Sequence, residues 1–113
     1  MKKIFFWTNY YIEHPEVGTT AKVISEIETL RLLGFEVSYT AYLDNGVAIY
    51  NNKDQQVCYK RFFSKNKLYL KAFQKDYLVN IARKYLRNNT FDYCLLRINY
   101  IGKNYYNMLK EMK

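Results

Sequence analysis

The chain has 113 residues, half of them apolar, with 18 Lys and Arg against 10 Asp and Glu for a formal net charge of +8. That length and composition exclude a multidomain machine and a disordered tail. A chain of this size hides roughly two thirds of its unfolded surface, so no disulfide or metal staple is required, and Cys58 and Cys94 are not a framework.

In chain order, Lys3-Ile-Phe-Phe-Trp-Thr8 is a short β-prone run and reads as a buried first strand. A loop over residues 9–19 holds the single proline, Pro15, and the first glycine, Gly18. Thr19 or Thr20 then caps a helix, because a hydroxyl accepts one of the free first-turn N–H groups. Val23, Ile24, Ile27, Leu30 and Leu33 recur at helical spacing, and Gly34 supplies the left-handed stop with apolar Phe35 behind it. Residues 36–43 are rich in β-formers and end at the turn signal Asp44-Asn45-Gly46, so strand, helix and strand make a right-handed βαβ unit. Shorter β-prone pieces follow at 47–50 and 56–63, split by a polar turn at 51–54. Leu70, Phe73, Tyr77, Ile81 and Tyr85 mark a long helix from about Asn66 to Leu86. Residues 91–99 read as another buried strand, and Gly102 opens a final helix to Lys113.

Strands alternating with helices predict an α/β, Rossmann-like layered domain with a mainly parallel sheet. In such sheets the ligand lies beyond the carboxyl ends of the strands, which singles out the loops after Thr8, Leu43 and Asn99. The first of these leads into a helix start, whose N–H groups and dipole favour phosphate or carboxylate, with Gly18 admitting close backbone approach. It has neither the glycine pattern of a dinucleotide site nor the Lys-Ser/Thr of a phosphate-binding P-loop. His14, the single histidine, stands in the same loop between Glu13 and Glu16 and is the candidate general base. No zinc, Cys-His or serine-nucleophile spacing is present, and no cofactor is expected.

The charge is local. Residues 53–87 hold ten basic residues and two acids, so that segment carries the whole excess and predicts one docking face. On a helical wheel, Lys67, Lys71, Lys75, Arg83 and Arg87 are expected opposite the apolar arc, as a cationic face for an anionic membrane surface. The 13 tyrosines admit two explanations, stacking platforms or the A/T-rich codons shared by Lys, Asn, Tyr, Ile and Phe, and none is singled out by type. The apolar run behind Lys2 and Lys3 is too short for a signal peptide, and no run approaches a membrane span. A cytoplasmic protein, peripheral at the inner membrane face, is expected.

Three segments, Lys3-Ile-Phe-Phe-Trp-Thr8, Leu32-Leu-Gly-Phe-Glu-Val37 and Phe91-Asp-Tyr-Cys-Leu-Leu-Arg97, together resemble the amino-terminal half of glycosyltransferase family 4 enzymes. The resemblance implies a GT-B enzyme whose first Rossmann-like domain holds a glycan or lipid-linked acceptor and whose second binds a nucleotide-sugar donor. Nothing here corresponds to the second domain, so the expectation is an incomplete acceptor-side domain, inactive alone, from capsule or cell-surface polysaccharide synthesis. Gly18, Thr19 and Thr20 fall where the family's glycine-rich loop nears the donor diphosphate, although Val17 replaces the first of its paired glycines. Arg97 matches a strand-end arginine facing the cleft. The alternative reading is a small basic α/β module binding nucleic acid or a regulatory partner, which predicts salt-steep binding through residues 53–87.

Overall fold

The computed structural model describes residues 2–8, 11 and 18–97, with the backbone alone at 18, 19, 96 and 97. The elements are β1 (Lys3–Thr8), α1 (Gly18–Leu32), β2 (Glu36–Leu43), β3 (Gly46–Tyr50), β4 (Gln56–Arg61), α2 (Lys67–Asn88) and β5 (Tyr93–Arg97). The strands form one sheet in the order β4-β3-β2-β1-β5. The helix expected from Gly102 lies outside the described residues.

The expected mainly parallel sheet is corrected to a mixed one. β1 pairs in parallel with β2 and β5, whereas β3 pairs antiparallel with both β2 and β4. The cause is local. Leu43 pairs with Gly46, leaving Asp44 and Asn45 as a two-residue connection that can only reverse the chain. Gly46 is required there because a Cβ would stand 2.4 Å from the Lys60 carbonyl oxygen. A second reversal at residues 51–55 turns β4 back, so β1, β2, β4 and β5 all point one way and β3 alone opposes them.

Side chains alternate across the sheet and give each face its own core. On one face Ile4, Phe6, Val37, Tyr39 and Ala41 meet Val23 and Ile27 of α1. On the other Phe5, Trp7, Tyr42, Val47 and Ile49 meet Leu78, Val79 and Ala82 of α2. Phe5 and Trp7 pack edge to face with centroids 6.0 Å apart, and both are fully buried. Burial of each such ring contributes on the order of 2 to 3 kcal/mol.

The helix ends follow from single residues. Gly34 takes φ +97°. Its N–H donates to the Arg31 carbonyl (3.0 Å) and the Phe35 N–H to that of Leu30 (3.2 Å), the paired bonds of a glycine-terminated helix. At the start of α2, the Asn66 side chain accepts from the N–H groups of Leu68 and Tyr69.

The amino end of the sheet is closed by a polar network around Arg31. Its guanidinium donates to Asn52 Oδ1 (3.2 Å), Asp54 Oδ2 (3.2 Å) and the Val37 carbonyl (3.1 Å). Asp54, held at φ +59°, also accepts from the Tyr39 hydroxyl (2.8 Å). Asn52 Oδ1 accepts in turn from the Val37 N–H (2.8 Å), so the turn after β3, the end of α1 and the start of β2 are fastened together.

Candidate functional site

Because four strands share one direction, Thr8, Leu43, Arg61 and Arg97 end β1, β2, β4 and β5 at the same end of the sheet. This rim is braced from below. The buried Thr40 hydroxyl accepts from the Thr8 N–H (2.8 Å) and donates to the Thr8 carbonyl (2.6 Å), clasping β1 to β2 at its last residue. Tyr11 packs on Tyr42 with centroids 5.4 Å apart and accepts a hydrogen bond from Gln74 Nε2 (2.7 Å), which ties the first loop to α2. Burial, aided by Tyr11, pushes the Tyr42 phenol well above its ordinary range, so it is a neutral wall of the rim.

The connection from β4 to α2 forms an exposed corner, as the turn that ends α1 also does with Leu32 and Leu33. Phe62 turns inward against Tyr77, edge to face at 5.2 Å, and its N–H donates to the Asn45 carbonyl (2.9 Å). Phe63 turns outward, while its N–H donates to the Tyr77 hydroxyl (2.9 Å). That hydroxyl also pairs with the hydroxyl of Tyr69. Ser64 Oγ accepts from the Asn66 N–H (3.1 Å), completing a corner fixed by its own polar groups. Phe63 is 88% exposed and Leu68 is 78% exposed. Lys60, Arg61, Lys65, Lys67 and Lys71 are exposed around them.

From this corner a groove of about 810 Å³ runs between β4 and α2. Tyr69, Phe73, Tyr77 and Tyr85 wall it, and Asn80 and Asn88 bring amides to it. Cys58 also lines it. Burial raises the Cys58 thiol, with Lys84 opposing, and burial pushes Cys94 up to about 11. Neither is an activated nucleophile, which requires a lowered pKa. Among the described residues no cluster of His, Cys, Asp and Glu is arranged to hold a metal ion.

The residues expected at the site are only partly brought together. His14 lies outside the described residues. The helix begins at Gly18, so Thr19 and Thr20 stand inside its first turn, which corrects their assignment as its cap. Thr20 is buried, and its hydroxyl donates to the Tyr11 carbonyl (3.4 Å), bracing the loop from within. Arg97 ends β5 opposite Thr8.

The cationic helix face also needs correction. The i, i+4 row Lys67, Lys71, Lys75 continues to Val79, which is 3% exposed and packed in the core, before reaching Arg83 and Arg87. Lys67, Lys71 and Arg87 are exposed, whereas Lys75 and Arg83 are half-buried. The expected stripe is therefore broken in its middle by Val79, while Leu78 of the expected apolar arc is buried and Leu70, Tyr77, Ile81 and Tyr85 pack half-buried against the same core. Lys67 and Lys71 in the first turns of α2 are exposed, as are the β4 cations Lys60 and Arg61. The sequence reading missed Phe63 and Leu68. Their signal is an unbroken stretch, residues 55–75, with six cations and no acid.

Among the described residues no helix is long and apolar enough to cross a membrane. No protein-family model, curated protein or solved structure matches the chain.

Proposed function

We propose that this chain is the acceptor-side, Rossmann-like domain of a glycosyltransferase that moves a sugar from a nucleotide-sugar donor to a lipid-linked or polysaccharide acceptor at an anionic membrane surface. The observation that carries the reading is the groove between β4 and α2, which starts at the basic corner and is walled by tyrosines with amides along it. Sugar rings present C–H faces that pack on aromatic rings and hydroxyls that pair with amides, so this lining suits a glycan. A lipid-linked glycan anchored beside the corner enters the groove from its membrane end. The donor diphosphate is assigned to the start of α1 at Gly18, where a helix N-terminus favours a phosphate. Stabilising the departing diphosphate falls to a second, donor-binding domain.

The test is equilibrium binding to vesicles carrying a lipid-linked oligosaccharide, against the same vesicles without the glycan. The glycan should tighten binding, and Phe73→Ala should abolish that increment without unfolding a side chain already 47% exposed. No glycan-dependent increment would overturn the reading, as would turnover of nucleotide-sugars by the chain alone.

A further inference from the structure

We infer that the corner between β4 and α2 inserts apolar side chains into an anionic bilayer, with Phe63 and Leu68 as the wedge and Arg61, Lys65, Lys67 and Lys71 as the ring that meets the lipid headgroups. This deepens the membrane part of the proposed function and stands apart from its sugar chemistry.

Two large apolar side chains adjoining one turn are left 88% and 78% exposed, although Phe62 beside them is 6% exposed. Apolar protrusions flanked by charge mark a surface awaiting an apolar partner. The backbone under them is held by the bonds to Tyr77, Ser64 and Asn66, so the wedge is presented rigidly and loses little freedom on insertion.

Charge then selects the partner. Between residues 55 and 75 there are six cations and no acid. Among the described residues Arg61, Lys65, Lys67 and Lys71 take no ion-pair partner. One acid, Asp44, sits in the adjoining turn. Cations on flexible stems around an apolar tip match the layering of a bilayer, in which anionic headgroups surround acyl chains. Nucleic acid gives no account of the two protruding side chains, since Leu68 offers no ring for a base to stack on, and competition against vesicles separates the two partners.

Geometry adds an orientation. The corner lies at the end of the sheet that holds the carboxyl ends of β1, β2, β4 and β5, and the tyrosine-lined groove begins beside it. Insertion there turns the whole rim toward the lipid, which presents the groove mouth to a membrane-anchored acceptor.

The test uses Phe63→Trp on vesicles of phosphatidylglycerol or phosphatidylcholine. The native Trp7 is fully buried and serves as the internal control for folding. The new indole should shift to the blue and be quenched by brominated acyl chains on phosphatidylglycerol, with no change on phosphatidylcholine. Exchanging Phe63 and Leu68 for Ser should weaken binding by about tenfold or more. Reversing Lys65, Lys67 and Lys71 to Glu should weaken it by at least about a hundredfold, each cation near the surface being worth about fivefold. Three results overturn the proposal. They are an indole that stays unquenched on bound vesicles, binding indifferent to Phe63 and Leu68, and duplex DNA or RNA outcompeting vesicles for the same lysines. The first two leave an electrostatic membrane contact and the glycan reading standing, so the failures are distinguishable.

Discussion

The two ends of the sheet handle charge in opposite ways. At the amino end Arg31 meets Asp54 at 3.1 Å, lies over the Tyr39 ring at 5.8 Å and donates to backbone and amide oxygens of β2 and of the turn after β3. Its charge is used up inside the fold. At the carboxyl end the cations of β4 and the first turns of α2 face outward beside Phe63 and Leu68. The polar groups there organise the backbone and leave the charge free. A cation absorbed by the structure is explained by stability, whereas a group of exposed cations around exposed apolar side chains adds nothing to stability and calls for a partner.

The contrast breaks first if the carboxyl end proves loose beneath its surface. Thr40→Val keeps shape and leaves the Thr8 N–H and carbonyl unpaired in the core, so urea unfolding should show a loss of about 2 to 3 kcal/mol. A change near zero would mean that the rim is not clasped by this hydroxyl. At the amino end Arg31→Ala should lose about 1 to 2 kcal/mol, a figure already reduced for solvent screening of the Asp54 carboxylate. Its vesicle binding should stay at the native value, and a parallel loss there would erase the distinction between the ends.

Alkaline pH probes the sheet between them. Cys94 is neutral when buried, and its thiol is raised from 9.0 to about 11 by burial alone. A folded pKa above the unfolded one gives stability that is full below pH 9.0 and lost as pH rises toward 11. At about pH 10 the loss should be on the order of 1 kcal/mol, and Cys94→Ala should flatten that part of the profile relative to the native chain. The smallest stability effect is expected where binding changes most. Reversing Lys65, Lys67 and Lys71 should move the unfolding free energy by less than about 0.5 kcal/mol while vesicle binding collapses.

Much of the architecture is legible because single residues announce it. Gly34 with Phe35 behind it can only stop a helix, Asn66 begins the next one, and Asp44-Asn45-Gly46 marks a reversal. Sheet direction is legible in that same turn, since a two-residue connection can only reverse the chain. The alternation of strands and helices outweighs it in the sequence reading, and one reversed strand turns a parallel expectation into a mixed sheet. The apolar arc of α2 holds Leu78, Tyr77 and Tyr85 against the core as the spacing implies, but Phe73 stays 47% exposed and the deepest positions also include the smaller Val79 and Ala82. Close packing on a flat surface rewards small side chains that periodicity undervalues. The basic segment is visible as composition, yet its exposed corner appears only once Phe62 is seen to bury and Phe63 and Leu68 to stay exposed. Arg31 reads as an ordinary polar-face residue until the turn carrying Asn52 and Asp54 is folded against it.

The strand order also sets a timetable for folding. β1 lies between β2 and β5, and its second partner arrives last, with the Lys3 N–H donating to an Asp92 carboxylate 89 residues away. The β2-β3-β4 meander closes through short turns and assembles locally, whereas β5 docks only after α2 has crossed from one edge of the sheet to the other. Long-range closure of this kind is slow because loop entropy is lost before the contacts form. During that interval one edge of β1, with fully buried Phe5 and Trp7 beside it, stands open to pairing with another chain.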